Sequence, residues 1–96
     1  VEFVQVSYSN DDSYEWFGGT VNAKHLVAYK GWDDDFDTDY GYTGNLQFLL
    51  SVRDKDIADT SDSNGFESDN DASGSSNTPL TKLQRDLDRS VLWKGF

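Results

Sequence analysis

Apolar and polar residues alternate over three stretches of the chain, and the stretches repeat. Val4, Val6 and Tyr8 stand 21 residues before His25, Val27 and Tyr29, which stand 23 before Phe48, Leu50 and Val52. Side chains two apart share one face of a strand, so each triplet predicts a β-strand with one buried face. The intervening residues, Gln5 and Ser7, Leu26 and Ala28, Leu49 and Ser51, are expected to point the other way. The run from Thr20-Val21-Asn22 to Tyr29 also returns, as Thr43-Gly44-Asn45 to Val52, with its threonine, asparagine and alternation in register. A period of this size with a β segment in each copy predicts a solenoid whose coils bury their faces on one another.

Between the strands lie polar corners. Phe17-Gly18 and Tyr40-Gly41, 23 apart, are expected to turn the chain into the next strand. Residues 58–79 are rich in Ser, Asp, Asn and Gly, yet Gly65-Phe66-Glu67-Ser68-Asp69 repeats the order of Asp35-Phe36-Asp37-Thr38-Asp39, which makes this stretch a third, elaborated corner. Leu80, Leu83, Leu87 and Val91 then follow helical spacing, with Thr81 and Gln84 in capping positions. The expected fold is mainly β: a right-handed parallel β-helix (solenoid) fragment over 1–79, closed by an amphipathic C-terminal cap, a short helix or irregular segment, over 80–96. A small antiparallel β-sandwich is the alternative. Corners of about 15 residues, with no tight hairpin signal between strands, favour the solenoid.

Composition narrows the picture. In 96 residues only 35% are hydrophobic, but 15% are aromatic, enough to build ring ladders from coil to coil. The absence of cysteine excludes a disulfide framework and thiolate metal sites. No apolar run reaches the roughly 20 residues of a membrane helix. The chain opens directly in a strand and is read as a piece of a longer protein. The net charge of −10 is uneven, with 16 acids and 4 bases in residues 1–79 against 2 acids and 4 bases in 80–96. Nucleic acid and anionic membrane are therefore disfavoured as partners, while cations, glycans and surface proteins remain compatible, as does self-association through exposed coil ends.

The acidic clusters carry the chemistry. Asp33, Asp35, Asp37 and Asp39 alternate along a wrapped corner, and alternate carboxylates suit Ca²⁺, which takes 6–8 oxygen ligands. Asp69, Asp71 and Ser73, with Gly74 after them, match the opening of a helix-loop calcium site, but Leu80 stands where its closing Glu belongs, so an EF-hand is not supported. The competing reading is a solvated rim of turn-forming side chains.

Catalysis has less support. His25 is the sole histidine and falls between apolar rungs, and no Ser-His-Asp arrangement is visible. Tyr14 and Trp16 are assigned to packing. Trp32, at an apparent two-residue insertion, and Tyr42 are the aromatic candidates for ligand binding.

Asp12-Ser13-Tyr14-Glu15-Trp16-Phe17-Gly18-Gly19-Thr20-Val21-Asn22, Asp33 through Gly41, and Asn64 through Asp71 resemble segments of secreted or outer-surface proteins of Bacteroidetes with β-helix-like repeats. The resemblance covers about residues 1–79. It implies an exported, extracellular or outer-surface protein and brings no activity to particular residues. The function expected is a non-catalytic scaffold or binding module for glycan or protein, with calcium at its acidic corners. The alternative is a fragment of a lyase-like polysaccharide-degrading enzyme, for which Lys30, Arg53 and Lys55 are the candidate bases.

Overall fold

The computed structural model describes residues 1–61, 63–71 and 91–95. The chain passes back and forth between two parallel sheets. Strands β1 (Glu2–Ser7), β3 (Ala23–Tyr29), β5 (Leu46–Arg53) and β7 (Val91–Gly95) form the first, in the order β1-β3-β5-β7. Strands β2 (Glu15–Phe17), β4 (Asp37–Asp39) and β6 (Glu67–Ser68) form the second, in the order β2-β4-β6. Every neighbouring pair is parallel, which rules out the antiparallel sandwich. One strand in each sheet makes one repeat.

The register corrects the spacing read from the triplets. Val4 pairs with Leu26 and Val6 with Ala28, an offset of 22 rather than 21, while Leu26 pairs with Leu49 at 23. No insertion precedes Trp32, since its N–H donates to Ser9 O (3.0 Å) in step with the same register. Likewise Gly18 faces Tyr40, not Gly41: its N–H bonds Asp39 O at 2.8 Å, and a Cβ on it would stand 2.9 Å from Tyr40 O. The step becomes 23 by Asn22 and Asn45.

A second correction concerns which face is inside. Phe3, His25 and Phe48 have φ of 56°, 57° and 56°, and the strand pairing passes over them. A left-handed residue within a strand acts as a bulge and resets the alternation. Ala23 and Leu26, three apart, therefore both point inward, as do Leu46 and Leu49. The buried positions of the first sheet are Ala23, Leu26, Ala28, Leu46, Leu49 and Ser51, so the triplets His25-Val27-Tyr29 and Phe48-Leu50-Val52 lie on the outer face. Left-handed backbone costs a non-glycine residue about 1–2 kcal/mol. Ring stacking offsets part of it: His25 lies 4.7 Å from Phe3 and 4.9 Å from Phe48, with planes within 4° and 8°.

Phe36 and Tyr42 complete the core, with Tyr14, Trp16 and Phe66 packed against it, the first two as expected. Tyr14 stacks on Phe36 at 5.2 Å and donates its hydroxyl to Val4 O (2.8 Å) and Val27 O (3.0 Å), tying the corner to the first sheet. Tyr42 is fully buried and donates to Val21 O, which removes it from the surface as a ligand-binding residue. Its ring is accommodated by Gly44, where a Cβ would fall 2.2 Å from the Tyr42 hydroxyl.

Of the third corner expected over 58–79, residues 62 and 72–79 lie outside the described residues; the rest includes β6. Asp37 pairs with Glu67 and Thr38 with Ser68, the alignment anticipated from Phe36 and Phe66. Leu80, Leu83 and Leu87 of the expected helix lie outside the described residues. At Val91 the structure has a strand instead, with Val91-Leu92-Trp93 paired to Leu49-Leu50-Ser51. The backbone groups on that edge of β5 gain partners from a parallel strand, which a helix does not offer them. Among the described residues there is no helix, so none that is long and apolar enough to cross a membrane.

Candidate functional site

Two sites emerge from this register, an acidic corner on the second sheet and a cavity of mixed lining on the first. The corner is built by repetition. Asp12 Oδ1 accepts the N–H of Asp34 (3.1 Å), 22 residues on, and Asp34 Oδ1 accepts that of Asn64 (2.5 Å), 30 residues on. Asp39 Oδ1 does the same for Asp71 (2.5 Å). Each aspartate thus satisfies a backbone donor of the next repeat, as Asx side chains do in turns.

Just beyond, the parallel pairing sets Glu15 beside Asp37 and Asp37 beside Glu67. Adjacent strands are about 4.8 Å apart, so three carboxylates stand in one row. Asp12, Glu15 and Asp37 each bring an oxygen within 4.8 Å of the others, and Asp11, Asp12 and Asp33 form a second such group. Burial, followed by repulsion from neighbouring carboxylates, pushes Asp37 up to about 7. Burial also raises Asp12 to about 6, against the opposing bond from the Asp34 backbone. Glu67 rises to about 7, first through its side-chain hydrogen bond with Asp34, then through burial.

The alternate aspartates expected to converge do not do so. Asp35 points into the core, where Ser51 Oγ donates to its Oδ2 and Arg53 Nη1 lies 3.2 Å away. Arg53 Nη1 also bonds Asp33 O and Asn64 O, both at 2.8 Å, so this pair fastens the corner to β5. Asp33 Oδ2 accepts Ser61 Oγ (3.1 Å), and Asp39 is taken up by the amides of Tyr40 and Asp71. Asp69 is exposed and donates its N–H to Thr38 O (2.8 Å); Asp71 has φ of 64°; Ser73 lies outside the described residues. Of the original set, Asp37 and Asp33 remain in acidic groups, in different ones, and their companions Asp11, Asp12 and Glu15 were missed. An offset of 22 applied to Glu15 would have found Asp37.

The second site is a cavity of about 360 Å³ lined by Val1, Glu2, Asn22, Ala23, Lys24, Asn45 and Gln47. Asn22 Oδ1 accepts both the backbone N–H (2.9 Å) and the side-chain amide (3.1 Å) of Asn45, which fixes the orientation of both amides. Lys24 Nζ and Glu2 Oε1 are 3.8 Å apart. Glu2, Lys24 and Gln47 each directly precede a member of the Phe3, His25 and Phe48 ring row. Trp32, the remaining aromatic candidate, is 46% exposed and anchored through its carbonyl, which accepts Ser63 Oγ (2.7 Å) and the Asp59 N–H (2.9 Å).

Parallel strands added in sequence to two sheets, with rings and Asx side chains repeating between them, place the chain in the β-helix class. It belongs to the pectate-lyase-like beta helix domain family, whose pattern matches residues 1–85. No curated protein and no solved structure gives a significant match.

Proposed function

We propose that this chain is a non-catalytic module of an exported or surface protein and that it binds a neutral glycan. The observation that carries this reading is the cavity lined by Glu2, Lys24, Asn22, Asn45 and Gln47, three of which directly precede in sequence the stacked rings of Phe3, His25 and Phe48, with Phe3 and Phe48 exposed. Side-chain amides and an ammonium–carboxylate pair supply donors and acceptors for sugar hydroxyls, and the rings supply apolar surface for sugar C–H groups. The charge of −10 disfavours acidic polymers. With the fold goes a right-handed solenoid, the hand that right-twisted strands favour in parallel crossovers.

The state of two of the three candidate bases supports a module without turnover; the third, Lys55, is exposed. Arg53 is held by Asp35 and two carbonyls, and Lys30 pairs with Asp54 (3.6 Å) over the Tyr29 ring. His25 is stacked between two phenylalanines. Titration calorimetry against a panel of neutral oligosaccharides tests the reading. Saturable binding that is lost in Asn45→Ala and weakened in Phe48→Ala is expected. Absence of binding across the panel, or release of unsaturated products from a uronate polymer, would overturn it.

A further inference from the structure

We propose that Asp12, Glu15 and Asp37 form a binding site for a hard divalent cation of the Ca²⁺ class, which joins the first repeat to the second. Three observations converge on these residues. Their ligand oxygens all lie within 4.8 Å of one another. Oxygens on opposite sides of a Ca²⁺ ion, each at 2.3–2.6 Å, are roughly 4.6–5.2 Å apart, so the three fit one coordination shell.

The second observation concerns Asp37 alone. It is only 9% exposed, and its Oδ1 is buried with no hydrogen-bond partner. A buried carboxylate oxygen without a donor is costly, and a cation is the partner that its acidic surroundings favour. The third concerns the protein's own cations. Among the described residues the ion pairs run from Lys24 and His25 to Glu2, from Lys30 to Asp54 and from Arg53 to Asp35, and none reaches these three acids.

The placement explains what the ion does. Asp12 and Glu15 belong to the first repeat and Asp37 to the second, and the β2–β4 pairing between them spans only three residue pairs. Glu15 is exposed, which opens the site to solvent and leaves room for water in the rest of the shell. The neighbouring group of Asp11, Asp12 and Asp33 has no comparable orphaned oxygen, and the Asp33 carboxylate already accepts Ser61 Oγ. The site stands independently of glycan binding.

The test uses the full chain after chelation and dialysis, with CaCl2 followed by calorimetry and thermal melting. Calcium is expected to bind and to raise the melting temperature. Glu15→Gln changes an exposed side chain and is expected to weaken calcium affinity at least about tenfold without loss of fold. Asp37→Asn is expected to abolish the calcium response and to melt in chelator at or above the wild-type temperature, because it removes a buried charge. Asp56→Asn, at an exposed aspartate outside both acidic groups, is expected to keep the full response. No calcium binding by the wild-type chain, or an undiminished response in both Glu15→Gln and Asp37→Asn, overturns the site. Glycan titrations run in chelator read the other proposal separately.

Discussion

The His25 imidazole lies 4.9 Å from the Phe48 ring with the two planes within 8° of each other, and both residues hold left-handed backbone inside their strands. Ring and backbone are coupled here: the bulge turns both side chains outward, and their stacking holds the bulge in register across repeats. His25→Phe is therefore expected to keep or slightly raise stability. His25→Ala should cost about 1–2 kcal/mol in urea unfolding through lost stacking. His25→Val should cost more, because a β-branched residue is poorly suited to positive φ.

Gly44 and Tyr42 form a second coupled pair. A Cβ at Gly44 would fall 2.0 Å from Val21 O and 2.2 Å from the hydroxyl of the buried Tyr42. Gly44→Ala is expected to be among the most damaging single substitutions, above about 3 kcal/mol, since either backbone or a buried ring must move. Far-ultraviolet dichroism with urea titration measures it.

Burial pushes the Tyr42 hydroxyl up to about 12, against an ordinary tyrosine value near 10. The folded state thus keeps a proton that the unfolded state has released between these values. The stabilisation is complete below about pH 10 and is lost as pH rises toward about 12. Tyr42→Phe lacks this alkaline loss. It should be less stable than wild type at neutral pH by about 1–3 kcal/mol, because Val21 O loses its donor, with the gap narrowing above pH 10. Parallel unfolding titrations at pH 8 and pH 11 decide it.

Arg53 is the hub between the acidic corner and β5. Arg53→Met leaves Asp35 buried without its counter-ion, with the Ser51 hydroxyl still donating to it, and deprives two carbonyls of a donor, for an expected cost of about 3–5 kcal/mol. Asp35→Asn combined with Arg53→Met should be less destabilised than the sum of the two single variants. A double-mutant cycle in urea reads the coupling, and simple additivity would show that the pair does not act as a unit.

Much of the fold was legible in the chain. The recurrence of Thr20-Val21-Asn22 at Thr43-Gly44-Asn45 disclosed the parallel repeats, and the likeness of Phe36-Asp37-Thr38-Asp39 to Phe66-Glu67-Ser68-Asp69 located the third corner despite its added residues. The amide ladder of Asn22 and Asn45 follows from the same recurrence. These features survive because each repeat must present the same residue types to its neighbour, and a sequence period records that requirement directly.

The inner face and the members of the acidic site were decided by tertiary structure. Period-2 alternation assumes an uninterrupted strand, and the left-handed residues at Phe3, His25 and Phe48 break it, so Leu26 and Leu49 go inward where alternation sent His25 and Phe48. Likewise Asp33, Asp35, Asp37 and Asp39 are close in sequence, but alternate residues in the corner are drawn to different partners. Asp37 meets Asp12 and Glu15 only because the strands stack at an offset of 22. The sequence by itself determined which residues recur; the stacking of one repeat on the next decided which of them touch, since a contact between repeats depends on register and backbone twist that no single segment contains.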